Sequence, residues 1–285
     1  MAPGIRLGIN PTSIGVSASW WLETVRQAEE AGFDSAWIWD HFVSRGRRTD
    51  PVLECWTLLA TAAGATEDIR LGSFVTNVMN RHPAVLARMA ASVAELSGGR
   101  LELGIGIGGH PAEHVAYGID FPDALTRGQH LDEAVSVLRL LLAGGPADYA
   151  GRHYQLEGAH AFPAPVPPPR IVVAGTTPAG ARRAARIGDA WTCFGSEHDR
   201  LRPIFREALS AAGRDEAEVP VIVAVEVEEI LPDPGAVAEV WAARCVSELI
   251  VHAVRKADLP PLLEAVARSG AFASGPGSDA LGSDR

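Results

Sequence analysis

The chain has 285 residues, 47% of them hydrophobic and 21% charged, with a formal net charge of −10. This length suits a single α/β barrel of ~250 residues, and the composition can bury a large core. The acidic balance excludes a non-specific nucleic-acid binder, which needs a basic face to displace counterions, and no apolar run approaches the ~18 residues of a membrane span. The opening MAPGIRLGIN has no signal-peptide core, so the expectation is a soluble, cytoplasmic protein with neither nucleic-acid nor membrane partners. Cys55, Cys193 and Cys245 are widely spaced and form no C-x-x-C. A zinc ribbon, a dithiol redox site and a disulfide framework all lose support, and the three read as small buried residues.

Eight short apolar or β-branched runs follow in order, most with a helical pattern behind them. Ile5 to Asn10 precedes a helix from Ser19, its N-cap, to Ala31, with Leu22, Val25 and Ala28 as the apolar face and Gly32 as the stop. Ser35 to Asp40 is followed by His41, a basic loop and a helix from Pro51 to Ala65. Ile69 to Asn77 precedes a helix whose apolar face is Val85, Leu86, Met89, Val93 and Leu96, closed by Gly98-Gly99. Leu101 to Ile107 leads to a helix from Thr126 to Leu142. Arg170 to Thr176 feeds a helix from Pro178, and Asp189 to Phe194 one from Leu201 to Ala212. Pro220 to Glu228 precedes Gly235 to Ala243, and Glu248 to Val254 precedes Leu259 to Ala267.

Strands alternating with helices imply a parallel sheet with right-handed crossovers, and eight such units favour a closed (β/α)₈ TIM barrel. The predicted domain is residues 1–268, with 144–169 as an inserted lid loop before strand five and 269–285 as a disordered Gly- and Ser-rich tail. In such a barrel the ligand sits at the carboxyl ends of the strands. Polar or glycine residues crowd those ends here: Thr76 and Asn77 on the third strand, Gly106, Gly108 and Gly109 on the fourth.

Gly104, Gly106 and Gly109 fit G-x-G-x-x-G, but on the fourth strand and with no acidic strand end about 20 residues on, so they favour a glycine turn beside a ligand over an NAD site. His110-Pro-Ala-Glu113-His114 matches H-x-x-E-H literally, yet Pro111 suggests a helix starting there with His110 as its cap, and no metal is expected. Asp40 and His41 end the second strand, where a carboxylate can orient an imidazole for proton transfer; the alternative is a loop cap beside an exposed histidine. Ala174-Gly175-Thr176-Thr177 closes the fifth strand before Pro178, which makes either an anion site at a helix N-terminus or an ordinary capped helix. No G-x-S-x-G elbow, P-loop or H-x-H pair supports a hydrolase.

Several stretches, in this order and spacing, resemble the luciferase-like monooxygenase superfamily and above all its deazaflavin (coenzyme F-420) dependent oxidoreductases. They are AEEAGFDSAWIWDHF, IRLGSFVTNVMNRHPAVLARMAASVAELSGGRLELGIGIG, EHVAYGIDFPDALTR and PPPRIVVAGTTPAGARRAARIGDAW, and the likeness runs from Ile5 to Leu263. The resemblance implies a (β/α)₈ barrel and a non-prolyl cis peptide at Ser73-Phe74 under the central ring of the cofactor. It also implies a cofactor lining from Thr76, Gly106, Ile107 and Gly108, and a phosphate site at Ala174 to Thr177. Asp40 and His41 would lie near the reactive ring, and Glu113 matches an acid that donates a proton in some sugar-phosphate dehydrogenases. A tryptophan those dehydrogenases carry after the histidine is replaced here by Val43-Ser44-Arg45. Arg45, Arg47 and Arg48 fit either an anion contact or a solvated loop.

The resulting expectation is an F-420-dependent oxidoreductase that moves a hydride between the deazaflavin and a small organic substrate. His41 is its acid/base, oriented by Asp40, and Glu113 is a second proton carrier or substrate anchor. The alternatives are an FMN-dependent monooxygenase served by a separate reductase, a non-catalytic flavin-binding barrel and an NAD-linked dehydrogenase. A homodimer is expected by family analogy.

Overall fold

Alternating β-branched and small residues let each strand face two cores at once, one inside the barrel and one beneath the helices. The computed structural model describes residues 5–269. The strands are β1 (Arg6–Pro11), β2 (Ser35–Ile38), β3 (Arg70–Ser73), β4 (Thr76–Asn77), β5 (Leu101–Gly106), β6 (Ala147–Ala150), β7 (Gln155–Ala159), β8 (Arg170–Ala174), β9 (Ala190–Phe194), β10 (Val221–Val225) and β11 (Val246–Val254). The helices are α1 (Ala18–Glu30), α2 (Cys55–Ala63), α3 (Pro83–Leu96), α4 (Pro111–Tyr117), α5 (Ala124–Leu142), α6 (Pro178–Ile187), α7 (Gly195–Ala211), α8 (Val227–Ile230), α9 (Pro234–Ala243) and α10 (Leu259–Ser269). β1, β2, β3, β5, β8, β9, β10 and β11 pair in parallel, and β11 returns to β1, which closes the barrel. β4 continues β3 after a break at residues 74–75 and pairs with β5. The predicted (β/α)₈ barrel is therefore the observed fold.

Inside, Trp37, Val172, Ala190, Ile222 and Ile250 form the middle layer, with Phe74 above them. The Trp37 indole fits because β1 and β3 carry glycines there: a Cβ would lie 2.3 Å from the ring on Gly72 and 3.0 Å from Nε1 on Gly8. Below this layer Glu102 and Glu248 are buried and held by arginines from neighbouring strands.

Several boundaries differ from the sequence reading for local reasons. α1 starts earlier because Ser17, not Ser19, is its N-cap, accepting from Trp20 N–H at 3.2 Å. α2 waits until Cys55, because the Glu54 side chain caps it. α7 starts at Gly195 and runs through Pro203. The seventh strand stops at Val225, and Val227–Ile230 turns into α8 instead of extending the run to Glu228. On α3 the buried face is Leu86, Ala87, Ala90, Ala91, Val93 and Ala94, while Val85 and Leu96 are 53% and 57% exposed.

The insertion is more ordered than an extended loop. β6 and β7 form an antiparallel hairpin, and Glu133 of α5 accepts from the N–H groups of Arg152, His153 and Tyr154 at its tip. Ser269, expected to open the tail, closes α10; the rest of that stretch lies outside the described residues.

Candidate active site

The carboxyl ends of the strands form a mouth with an aromatic lining. Phe74 lies edge-on to Trp37 at 6.2 Å between centroids and to Phe194 at 6.4 Å. His252, from the end of β11, packs against Trp39, Phe74 and Phe194 at 5.3, 5.7 and 5.2 Å. It sits where the β1–β11 register slips between Ile9 and Pro11, and its neighbour Ala253 has φ +55°, the left-handed region that side chains avoid. The bulge turns the imidazole across the mouth. Burial, with Arg45 adding to it, pushes the His252 imidazole down to about 4, so it is neutral at pH 7, and Nδ1 has no partner. Thr76 Oγ1 and Thr192 Oγ1 are likewise buried without a partner at the same edge.

Beside this lining stands a cluster of two histidines and a carboxylate. His41 Nδ1 lies 2.9 Å from Glu113 Oε2, and His110 Nδ1 lies 3.4 Å from the same oxygen. Glu113 is 1% exposed, and its other oxygen accepts from the Phe42 N–H. Burial alone would raise this carboxyl; the hydrogen bonds from His41, Phe42 and His110 outweigh it and hold the group below the ordinary carboxylate value. The carboxylate therefore accepts from His41 Nδ1–H, and in the neutral imidazole Nε2 carries the lone pair. Pro111 at the first helical position starts α4 as expected, and His110 occupies the cap position without a side-chain cap bond, so its ring is free to face Glu113.

Asp40 does not orient His41. Its carboxylate takes both Arg81 terminal nitrogens at 2.7 and 2.9 Å, the Asn77 N–H at 2.9 Å and the Asn80 amide at 3.2 Å. It ties the end of β2 to the β4–α3 loop, and Glu113 takes the orienting role that the sequence reading gave to Asp40. The non-prolyl cis peptide is Phe74-Val75, one bond after the expected Ser73-Phe74. Ser73 is buried, donating to the Gly104 carbonyl at 2.7 Å, so Phe74 rather than Ser73 faces the mouth. His114, the last residue of H-x-x-E-H, is also buried, with Nε2 2.8 Å from the Asn77 amide.

The predicted cofactor residues do converge. Gly106, Ile107 and Gly108 end β5 beside β4, and Gly108 has φ +76° with a Cβ position only 2.5 Å from Asn77 Oδ1. Gly175 presses on the start of α6: a Cβ there would lie 2.5 Å from the Gly180 carbonyl carbon. Thr177 caps α6 by accepting from Gly180 N–H at 3.1 Å, and Ala174 and Thr176 flank the turn. Residues 176–179 are exposed, which leaves this helix N-terminus open to an anion. The glycine cradle, the flat aromatic lining and the unpartnered hydroxyls fit a flat polar heteroaromatic group with a phosphate-bearing tail. Sequence reasoning missed His252, Thr192 and Arg81. The first two obey the same signal that found Thr76, a polar residue at a strand end; Arg81 lay in a loop with no motif.

Residues 7–250 match the family model described as luciferase-like monooxygenase. An F-420-dependent glucose-6-phosphate dehydrogenase of Kineococcus radiotolerans is 35% identical over 202 residues, which cover 68% of this chain and 59% of that protein. The alignment thus spans less than two thirds of that relative's length. The enzyme of the same name from Gordonia bronchialis is 28% identical over 293 residues, covering 97% of this chain and 86% of its own. A solved F-420-dependent secondary alcohol dehydrogenase, in complex with an F-420–acetone adduct, superimposes with a TM-score of 0.81 at 19% identity, covering 93% of this chain and 99% of that one.

Proposed function

The chain belongs to the luciferase-like monooxygenase family, and on that premise we propose that it is an F-420-dependent oxidoreductase acting on an alcohol–carbonyl pair. The observation that carries this reading is the His41–Glu113 pair at 2.9 Å beside the aromatic mouth. The cofactor preference is supported by the names of the relatives, which are F-420-dependent dehydrogenases. Bound there, the deazaflavin supplies the hydride chemistry.

The chain's own residues supply the rest. Gly106, Ile107 and Gly108 and the Phe74-Val75 segment would hold the ring, and Ala174 to Thr177 the phosphate. His41 Nε2 would take the proton from a substrate hydroxyl as the hydride leaves carbon, and return it in the reverse direction. Glu113 would hold the opposite nitrogen and stabilise the imidazolium that forms, a positioning role. Neutral His252 would offer a hydrogen bond to the substrate without bringing a charge into the mouth. The aromatic walls would exclude water from the reacting atoms.

The substrate need not be a sugar phosphate, because Val43-Ser44-Arg45 stands where the related dehydrogenases place their tryptophan. The same reading includes a cytoplasmic homodimer acting on a small molecule. It is supported by the exposed Val85 and Leu96 on α3 and by the lack, among the described residues, of a helix able to cross a membrane. Size-exclusion chromatography with light scattering tests the dimer.

Titration of the purified protein with F-420 and separately with FMN tests the function. Micromolar F-420 binding with weak FMN binding is expected. Tight FMN binding with oxygen uptake would replace the reading by a flavin monooxygenase, and binding of neither would leave a non-catalytic barrel.

A further inference from the structure

His41, His110 and Glu113 each offer one ligand atom, and the three atoms lie within 4.8 Å of one another. The two Nδ1 atoms are 2.9 and 3.4 Å from the shared Glu113 Oε2. A zinc ion with ligand bonds of about 2.1 Å keeps tetrahedral ligands about 3.4 Å apart, so the two nitrogen–oxygen spacings need little change to receive one. The two rings meet at 88° with centroids 6.1 Å apart, so they do not stack on each other, and both Nδ1 atoms converge on one carboxylate oxygen.

The cluster is anchored on one side and open on the other. The Glu113 side chain is 2% exposed, while those of His41 and His110 are 24% and 23% exposed. Three protein ligands with one open direction is how zinc is held where it keeps a solvent position. The H-x-x-E-H pattern points at the wrong second histidine: His114 is fully buried against Asn77, and the second imidazole comes instead from the end of β2.

We propose that His41, His110 and Glu113 form a site for a divalent transition metal of the zinc type, and that metal bound there blocks proton exchange at His41. The first half stands on the geometry alone; the second rests on the function proposed above. Two imidazoles and a carboxylate select zinc, cobalt or nickel over magnesium or calcium, which prefer all-oxygen shells. The metal takes the Nδ1 lone pair of His41, so the remaining imidazole proton must sit on Nε2. That nitrogen then has no lone pair with which to accept a hydroxyl proton. Any extra proton on the two histidines leaves to water as the metal enters.

The test uses the full-length protein without cofactor. Cobalt(II) is titrated in while the visible ligand-field absorption is followed, and zinc is then added. One equivalent of cobalt should bind, zinc should displace it, and His110→Asn should abolish the absorption while far-ultraviolet circular dichroism is unchanged. Absence of the absorption, or an absorption untouched in both His110→Asn and Glu113→Gln, would overturn the site. In a second arm, zinc is added during F-420 turnover and each variant is compared with its own metal-free rate. Half-inhibition in His110→Asn should need at least ~10-fold more zinc; equal sensitivity would overturn the blocking role. Because the cobalt arm needs no turnover, a wrong cofactor assignment leaves it decisive.

Discussion

The floor and the mouth of the barrel are both lined by polar side chains, and they differ in what is left unpaired. At the floor, Glu102 receives Arg70 at 2.7 Å and Arg170 at 2.8 Å. Glu248 receives Ser35 at 2.5 Å, with the Arg6 guanidinium 2.8 Å from its other oxygen. Each charge is answered by a neighbouring strand, so this end locks the barrel shut. At the mouth, Thr76 Oγ1, Thr192 Oγ1 and His252 Nδ1 are buried without partners. A buried polar atom with nothing to bond costs ~1–3 kcal/mol. The fold tolerates three of them on one edge, and a ligand that supplies the missing partners recovers that cost on binding. Polarity alone does not mark a site, and neither does one unanswered atom such as Trp56 Nε1 or Arg202 Nε; here three of them gather on one open edge.

The largest break in this comparison is at His41. His41→Ala removes the proton acceptor and should lower kcat by ~10²–10⁴-fold while F-420 affinity changes little. Steady-state rates with parallel cofactor titration check it, and near-normal turnover would remove His41 from the chemistry. At the floor the effect should be on folding instead. Glu102→Gln leaves Arg70 and Arg170 facing a neutral amide. The cost should be roughly 2–4 kcal/mol, reduced from the ~3–5 kcal/mol of a broken buried pair because the Arg70 side chain is 38% exposed. Denaturant melts read that loss, and turnover per folded molecule should be unchanged.

The barrel was legible because its signals are local and repeated. Most β-branched runs are bounded by a glycine or proline, and helices such as α1, α6 and α10 carry a 3.6-residue stripe. The mouth was partly legible by the same route, since a polar residue at a strand end needs no tertiary knowledge to be noticed. Pairing was not. Asp40 sits next to His41 in sequence, yet both lie beyond the end of β2 at Ile38, where no strand period applies: Asp40 goes to Arg81, and His41 meets Glu113 from a helix 72 positions on. The β6–β7 hairpin was hidden for a different reason. Its strands are short and half exposed: Ala147, Tyr149 and Leu156 reach the core, but so brief an alternation gives little periodic signal, and the turn is held by Glu133 of α5.

A smaller effect separates the two ends by pH. His252 is neutral in the fold down to about 4, whereas the unfolded chain protonates it near 6.5. Between those values the unfolded state holds the extra proton, so stability is full above about pH 6.5 and falls as pH drops towards 4. The slope should amount to at most about 3 kcal/mol. Melts at a series of pH values should show a shallower slope in His252→Asn than in the parent chain, the remainder coming from His114, His130 and His198, whose imidazoles burial also lowers. A slope left unchanged by the substitution would place the acid sensitivity elsewhere.

The smallest predicted change tests whether the glycine cradle at the mouth is built for a ligand or is only a turn. A Cβ at Gly175 would fall 2.5 Å from the Gly180 carbonyl carbon and 2.8 Å from Ala181 N, both backbone atoms that no rotamer change can move. Gly175→Ala must therefore push the start of α6 away from β8 and carry Thr176 and Thr177 out of line. If that turn holds the cofactor phosphate, F-420 affinity should fall ~10-fold, about 1.4 kcal/mol, with kcat at saturation little changed. Gly109 gives the comparison, because a Cβ there meets nothing within 4 Å. Gly109→Ala should leave affinity as it was. Equal affinities in both variants would mean that the close approach of β8 and α6 serves packing alone and that the phosphate is held elsewhere.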